Sequence, residues 1–264
     1  MNILQFNVRL AEGGAAGVAL DLHQRALQQG MQSRFVYGYG KGGKKSVSHD
    51  QYPNVFKQTP RLTSIANLAL FRLFNRDVFG NLNNLYRSVS RTKGPVVLHF
   101  HVMHSYWLNL NEVVAFCQKL KAHKPDVTFV WTLHDHWSVT GRCAFTDGCE
   151  GWKQGCKKCP TLANYPPVKV DRAHQLVGEK RRLFNEMMAL GCQFISPAST
   201  WRRHSTVCTV RGVAALSIME LMWRPKPFWR SYLRLLSPRG ARKSPWWRTT
   251  CAMTARPINN LSVT

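Results

Sequence analysis

The chain has 264 residues, of which 44% are hydrophobic and 11% aromatic, a composition that supports a packed core and excludes wholesale disorder. Its apolar runs fall short of the roughly 18 residues that a membrane-spanning helix needs, and its N-terminus lacks the basic region of a signal peptide. We therefore expect a cytoplasmic protein, whose eight cysteines are thiols or metal ligands rather than disulfides. The formal net charge of +24 is unevenly distributed along the chain.

Strands and helices are predicted to alternate along the first 197 residues. In chain order, the pattern predicts a strand over 2–8, a helix that ends near Gly30, a strand over 33–37, a loop over 38–60, a helix over 64–79, a strand over 95–101, a helix over 108–122, a strand over 127–133, a helix over 172–190 and a strand over 192–196. This alternation indicates an α/β fold with a Rossmann-like parallel sheet, in which ligands bind beyond the carboxyl ends of the strands.

A glycine-rich turn connects the first strand to the first helix. Gly13 and Gly14 open that helix, where exposed N–H groups and the helix dipole suit a phosphate. The turn matches neither the dinucleotide fingerprint G-x-G-x-x-G nor a phosphate-binding loop that ends in Lys-Ser/Thr. Phosphate binding and a plain strand-to-helix turn both remain open.

Histidines end two of the predicted strands. His99 and His101 close the strand over 95–101, and His134 and His136 follow the strand over 127–133, with Asp135 between them. Imidazoles at such positions can donate to a sugar hydroxyl or a phosphate, or accept a proton. A single strand-end histidine is usually satisfied by its neighbours, but two pairs facing one crevice favour a functional site.

Four cysteines fall in the loop that follows His136. They are Cys143, Cys149, Cys156 and Cys159. The C-x-x-C spacing of the last two is typical of a metal knuckle, and thiolates favour zinc, so a structural zinc site is one interpretation. The other is a thiol-rich loop without metal. Cys117 and Cys192 are predicted to lie in the core.

The region from the second histidine pair to the cysteines carries a specific resemblance. The resemblance is carried by five runs: Thr132–Trp137, Thr140–Cys143, Cys149–Lys153, Gly155-Cys156 and Cys159-Pro160. They resemble a bacterial branch of the family 4 retaining glycosyltransferases, close to the colanic acid biosynthesis glycosyltransferases of enteric bacteria. The Gly13-Gly14 turn, the strand end at His101 and the segment 194–197 fit the same family in order, so the resemblance covers residues 1–197.

The resemblance implies a GT-B fold, in which two Rossmann-like domains face each other across a cleft. Residues 1–197 would be the N-terminal, acceptor-side domain, and the C-terminal domain would bind most of the nucleotide sugar. Carried over by position, His134 is the catalytic histidine, Gly13 and Gly14 approach the donor phosphate or sugar, and His101 lines the acceptor side. Asp135, beside His134, is predicted to bind substrate.

The same resemblance implies the partners. The parent enzyme would transfer a sugar from a nucleotide-sugar donor to a lipid-linked oligosaccharide during exopolysaccharide assembly at the inner face of the membrane. No cofactor is expected for the chemistry, no specific nucleic acid is expected as a partner, and zinc would be structural. The basic helix over 64–79 is either a peripheral contact with anionic lipid or a core helix with a solvated edge.

Residues 198–264 depart from the family. An Asn-Gly-Val/Ile-Asp segment and a second Rossmann-like domain are expected there, and neither is present. Residues 201–264 instead carry 12 Lys+Arg against one acid, Glu220, and five of the nine tryptophans. The stretch is interpretable as a basic tail for nucleic acid or anionic membrane, as a small domain, which its five prolines oppose, or as an out-of-frame translation.

The genetic code favours the out-of-frame interpretation. In a frame shifted by one base, Met219 before Glu220 forces glycine, and Met222 before Trp223 forces valine. Residues 218–223 can then encode Asn-Asn-Gly-Ile-Asp-Val, which is the missing family segment, and a base lost in the codon of Pro197 accounts for the shift. We therefore expect residues 198–264 to be an aberrant tail without a stable fold, and the chain to be inactive as a transferase.

A different class of function remains as the alternative. The chain would then be a metal-containing binding protein, with its cysteine loop as the metal site and its basic tail gripping nucleic acid or membrane. A pure binding module has no need of histidines from two strands in one crevice, so their arrangement discriminates between the two hypotheses.

Overall fold

A computed structural model describes residues 1–39, 51–76 and 80–195 of the chain. The strands are β1 (Asn2–Asn7), β2 (Gln32–Tyr37), β3 (Val55–Lys57), β4 (Val96–Phe100), β5 (Thr128–Thr132) and β6 (Gln193–Ile195). The helices are α1 (Gly14–Gln28), α2 (Arg61–Phe74), α3 (Asn83–Ser90), α4 (Leu110–His123) and α5 (Ala173–Ala189). Two short 3-10 helices, His136–Ser138 and Gly151–Gln154, lie between β5 and α5.

All six strands form one parallel sheet in the order β3-β2-β1-β4-β5-β6. This confirms the predicted α/β, Rossmann-like class. The chain moves outward from β1 to β3, then returns to pair β4 with the other side of β1, so the topology switches between β1 and β4. Sheets of this type bind ligands beyond the carboxyl ends of the strands at such a switch.

The core lies around the central strands, which are buried along nearly their whole length. Both faces of a parallel sheet are covered by helices, and this is why successive residues of β1, β4 and β5 are buried rather than alternately buried and exposed. Leu98 and Phe129 are fully buried, and α4 and α5 pack on the sheet beside them. Cys117 and Cys192 lie in this cluster, as predicted.

Three elements differ from the sequence-based prediction. The predicted loop over 38–60 contains β3, a three-residue edge strand too short and too exposed to show alternation. Helix α2 begins at Arg61 and ends at Phe74, and its C-cap residue, Asn75, adopts a left-handed conformation with φ of 52° and donates its backbone N–H to Phe71 O. Helix α3 was not predicted, because it has only eight residues, of which Val89 is buried, and so spans little more than two turns of the pattern.

The predicted boundary at residue 197 and the tail over 198–264 lie outside the described residues, and both remain predictions. Among the described helices, none combines the length and the apolarity that crossing a bilayer requires.

Candidate functional site

The predicted site residues follow three strands that lie side by side. β4 pairs with β1 on one side and with β5 on the other, and all three run in the same direction. The Gly13-Gly14 turn follows β1, His101 follows β4, and His134 follows β5. These residues therefore lie beyond the same, carboxyl edge of the sheet.

The glycine turn leaves the N-terminus of α1 open. Gly13 is the N-cap, with φ of 86° and ψ of 166°, and no side chain caps the helix. A Cβ built on either Gly13 or Gly14 meets no atom within 4 Å, so the backbone is open to close approach at these two positions. The first turn also carries no acidic residue that would repel an anion. This arrangement can receive a phosphate or a sugar hydroxyl.

The structure brings His101 and His134 into direct contact. Nδ1 of His101 lies 2.9 Å from Nε2 of His134, and the two rings stack with centroids 5.2 Å apart. On its other side, Nε2 of His101 lies 2.9 Å from Oε1 of Gln5, which projects from β1. A buried hydrogen-bonded chain therefore runs from β1 through β4 to the histidine after β5.

This chain determines which nitrogens carry protons. An amide oxygen can only accept, so His101 donates from Nε2 to Gln5 and accepts at Nδ1 from Nε2–H of His134. Nδ1 of His134 then carries a lone pair and can accept a hydrogen bond from a substrate hydroxyl. The assignment follows the orientation of the Gln5 amide, whose Nε2 has no hydrogen-bond partner. With the amide rotated by half a turn, Gln5 would donate to His101, and both histidines would carry their protons on Nδ1 instead of Nε2.

Burial keeps these histidines neutral. It lowers the pKa of His134 to about 4, although the neighbouring Asp135 carboxylate opposes the shift. Burial, together with the nearby His99 and His134, holds the pKa of His101 well below its usual value. At neutral pH the pair is therefore a polar, uncharged group rather than a cationic one.

The other two histidines of the predicted set take different positions. His99 is buried inside β4, where its Nε2 lies 2.8 Å from Thr132 Oγ1 and its ring lies 4.1 Å from that of His101. His136 turns toward the cysteine loop, with Nδ1 3.2 Å from Thr146 Oγ1. The four strand-end histidines are thus divided: two form the contact, one supports it, and one belongs to the loop.

Asp135 has both carboxylate oxygens engaged within the protein. Oδ1 accepts from the backbone N–H of Trp137 at 3.0 Å, capping the 3-10 helix His136–Ser138, and Oδ2 lies 2.7 Å from Nε2 of His104. Burial raises the pKa of Asp135, but the hydrogen bond and charge of His104, the Trp137 N–H and His134 outweigh it, so the pKa falls below its usual value. The contacts favour a positioning role for this carboxylate.

His104 and its neighbours are functional candidates that sequence reasoning missed. Nδ1 of His104 lies 2.5 Å from Ser105 Oγ, and Ser105 Oγ lies 3.3 Å from Tyr165 OH. Ser105 and Tyr106 both have positive φ, 76° and 73°, a strained conformation for residues with a Cβ. No periodic pattern marks this segment, so only the position of His104 shortly after a buried strand hinted at it.

A cavity of about 330 Å³ lies next to the His134 segment. Its charged lining consists of Arg76, Arg142, Arg172, Lys180 and Glu179. None of His101, His134 and Asp135 lines it, although Trp137 does. Four cations against one carboxylate suit an anionic ligand, and sequence reasoning missed the group because its members are far apart in the chain.

Two of these cations are fixed by carbonyl groups. Lys180 donates from Nζ to Trp137 O at 2.5 Å and lies 4.2 Å from the centre of the Trp137 ring. Arg142, whose exposed fraction is 1%, donates to the carbonyls of Asn164, Pro166 and Thr161. These contacts hold the segment after β5 against α5 and the following loop.

The four predicted metal ligands surround one small space without forming a metal-binding group. All four cysteines line a cavity of about 20 Å³, where Cys156 Sγ accepts from Gly141 N at 3.4 Å and Cys159 Sγ lies 3.8 Å from Arg142 Nη2. Burial raises the pKa of both Cys143 and Cys156. In the part of the chain that the structure describes, no three His, Cys, Asp or Glu side chains are grouped closely enough to hold a metal ion. Zinc therefore stays a prediction.

Comparison with known proteins supports the resemblance over much of the chain. No family model matches the sequence. Over 198 residues, or 75% of the chain, it is 81% identical to a protein of Escherichia coli (strain K12) that carries the provisional name of colanic acid biosynthesis glycosyl transferase WcaC. The aligned part is 49% of that protein, so the chain spans about half the length of the curated relative it matches.

Proposed function

We propose that the described residues form the acceptor-side half of a glycosyltransferase that moves a sugar from a nucleotide-sugar donor during exopolysaccharide assembly. The observation that carries the proposal is the 81% identity over 198 residues to a protein named for colanic acid biosynthesis. The parallel sheet supports it, because its switch point places His134 and the open N-terminus of α1 beyond one edge.

Within this proposal, each residue at the edge has a defined role. His134 is the catalytic histidine, and its unprotonated Nδ1 accepts from a hydroxyl of the bound sugar. His101 orients His134 and faces the acceptor, while Gly13 and Gly14 present backbone N–H groups to the donor phosphate or sugar. Asp135 positions the His134 segment through Trp137 and His104 and stands beside the substrate.

We assign the chemistry to the retaining, family 4 type. Electrostatic stabilisation of the departing nucleotide diphosphate supplies most of the catalysis in such a reaction, and the second domain would carry those groups. No dissociable cofactor is needed for this chemistry. The acceptor in this proposal is a lipid-linked oligosaccharide. Because such an acceptor lies at the inner face of the membrane, the enzyme would be a cytoplasmic protein in peripheral contact with the inner membrane.

We further propose that residues from about 198 onward are read from a shifted frame. The jump to 12 Lys+Arg against one acid, the glycine and valine forced in the shifted frame, and a similarity limited to 198 residues support this. The chain as translated would then lack a donor domain. Because transfer needs donor and acceptor held together, we expect no transferase activity from it.

Repairing the gene tests the proposal. One base restored in the codon of Pro197 should open a frame that continues through a second Rossmann-like domain. The repaired protein should transfer labelled sugar from a nucleotide sugar to a membrane lipid extract, and the present chain should not. In the repaired protein, His134→Ala should lower kcat roughly hundredfold.

His174→Ala is the matched control, because His174 is an exposed histidine whose Nδ1 bonds Gly155 O in the cysteine loop. A stop within a few dozen codons of the repair contradicts the frameshift, and a repaired protein without turnover contradicts the transferase assignment. The alternative of a metal-containing binding protein is not favoured, because two strand-end histidines meet at one edge and the similar protein carries a transferase name.

A further inference from the structure

The polarity of α2 is inverted relative to a helix that packs on a core. Its buried positions include the polar residues Ser64 and Asn67, whereas Leu62 is 80% exposed and Ile65 is 53% exposed. Leu73 continues the exposed stripe at the C-terminal end. The spacing of 62, 65 and 73 puts these side chains on one side of the helix. A surface helix normally turns its apolar stripe inward, so this stripe needs another partner.

Tertiary contacts fix this orientation. Phe71, on the opposite side of α2, packs edge-on against Tyr106 with ring centroids 5.1 Å apart. Near the end of the helix, Arg72 O accepts from Lys169 N at 2.8 Å. The helix is therefore held on the domain by one side, and rotating its apolar stripe inward would break these contacts and expose Phe71.

The charges next to the stripe are all positive along the helix. Residues 61–74 contain no Asp or Glu, and Arg61, Arg72 and Arg76 are exposed. At the C-terminal end of the helix, Leu70, Phe74 and Val170 line a groove that Arg76 and Arg172 border. Apolar side chains bordered by arginines match a bilayer surface, where hydrocarbon lies beneath anionic headgroups.

We propose that the α2 face, defined as Leu62, Ile65 and Leu73 with Arg61, Arg72 and Arg76, docks on an anionic phospholipid bilayer. A core helix with a solvated edge would turn its arginines outward but not its leucines. A second copy of the chain is disfavoured, since a symmetric pairing of this face would bring two sets of arginines together. The inference rests on the proposed membrane contact and names its surface.

Vesicle binding by the full chain tests the proposal. Leu62→Glu should lower the partition coefficient onto phosphatidylglycerol vesicles by roughly tenfold, because it removes an inserted side chain and adds a repelled charge. Phe145→Glu is the matched control: Phe145 is 71% exposed, lies in the cysteine loop, and gives the same charge change. We expect less than about a twofold loss from the control. The basic tail is present in both variants, so its attraction to the vesicles cancels.

A second readout locates the contact. Phosphatidylglycerol with a diazirine in its acyl chain should cross-link mainly to the peptide that contains residues 61–74. Equal losses from both variants, or no loss from either, overturn the proposal. So does a Leu62→Glu variant that binds vesicles normally but no longer self-associates, because a second copy would then cover the face. Circular dichroism and thermal melting verify that both variants are folded. Sugar transfer is assayed separately, so failure here leaves the transferase assignment intact.

Discussion

The strand-end histidines and the four-cysteine loop were both predicted as sites, but the members of the two groups are arranged differently in the folded structure. His101 and His134 come within hydrogen-bond distance, although 33 residues separate them in the chain. The four cysteines fall within 17 residues, yet the described structure does not group three of them for a metal ion. Position in the sheet therefore brings the two histidines into contact, whereas closeness in sequence does not by itself group the cysteines.

The difference follows from how each group is held. The histidines end neighbouring parallel strands, and the backbone register between β1, β4 and β5 fixes their separation. The cysteines lie on irregular backbone, where Arg142 and short 3-10 turns determine the shape. The following predictions test whether the strand register positions the histidines and whether Arg142 holds the cysteine loop.

The largest expected effect is acid destabilisation of the histidine cluster. Burial lowers the pKa of His99 to about 3 and that of His134 to about 4, so the unfolded chain binds protons on them near pH 6.5 and the folded protein does not. The free energy of unfolding should therefore fall as the pH drops from 6.5 to 5, by about 2 kcal/mol for each of the two histidines.

Urea melts at pH 7 and pH 5 measure this loss. His134→Asn should reduce this loss by about 2 kcal/mol, and His123→Asn, at an exposed position on α4, should leave it unchanged. If the three proteins have parallel pH profiles, the histidines are solvated and the strand register does not bury them.

The next effect concerns the loop. Arg142→Met should lower the free energy of unfolding by about 3 kcal/mol, because the buried carbonyls of Asn164, Pro166 and Thr161 lose their donor. Arg182→Met, at an exposed ion pair with Glu186, should cost less than about 1 kcal/mol. Chemical denaturation gives both values.

Metal analysis separates Arg142 from zinc as the group that holds the loop. If Arg142 is sufficient, the melting temperature of the chain should not change with chelator. A stoichiometric zinc content, lost with chelator together with several degrees of melting temperature, would show that the cysteines close around metal and would remove the contrast with the histidines.

A smaller effect is expected at the glycine turn. Gly13→Ala should cost about 1 kcal/mol of stability, because its φ of 86° disfavours any residue with a Cβ. Gly178→Ala, inside α5 with no neighbouring atom within 4 Å, should instead stabilise by about 0.5 to 1 kcal/mol. Thermal melts distinguish the signs, and stabilisation by Gly13→Ala would contradict the left-handed turn.

The smallest effect is spectroscopic. Long-range proton–nitrogen correlation on chain labelled at histidine should show the Nε2–H tautomer for both His101 and His134 at neutral pH. Gln5→Leu removes the acceptor and should shift His101 toward a tautomer mixture, with His123 as an unaffected reference. Nδ1–H forms at both histidines would instead indicate a turned Gln5 amide.

The sequence by itself determined the class of the fold and the edge where the site lies. Continuous apolar strands alternating with helices can be buried only in a parallel sheet covered on both faces, so the carboxyl edge and its residues followed directly. The burial of Cys117 and Cys192 in the core was predicted for the same reason. Short elements such as β3 and α3 were not predicted, because three and eight residues span too few repeats of the pattern.

Only the tertiary structure decided which polar groups meet and which way α2 faces. Periodicity tells which side of an element is apolar, but it names no partner, so neither the Gln5–His101–His134 chain nor the His104–Asp135 pair was readable. The same limit applies to the apolar stripe of α2, for which the sequence left a lipid contact and a core contact both open. It faces outward because Phe71 and the backbone of Arg72 are already held by the domain.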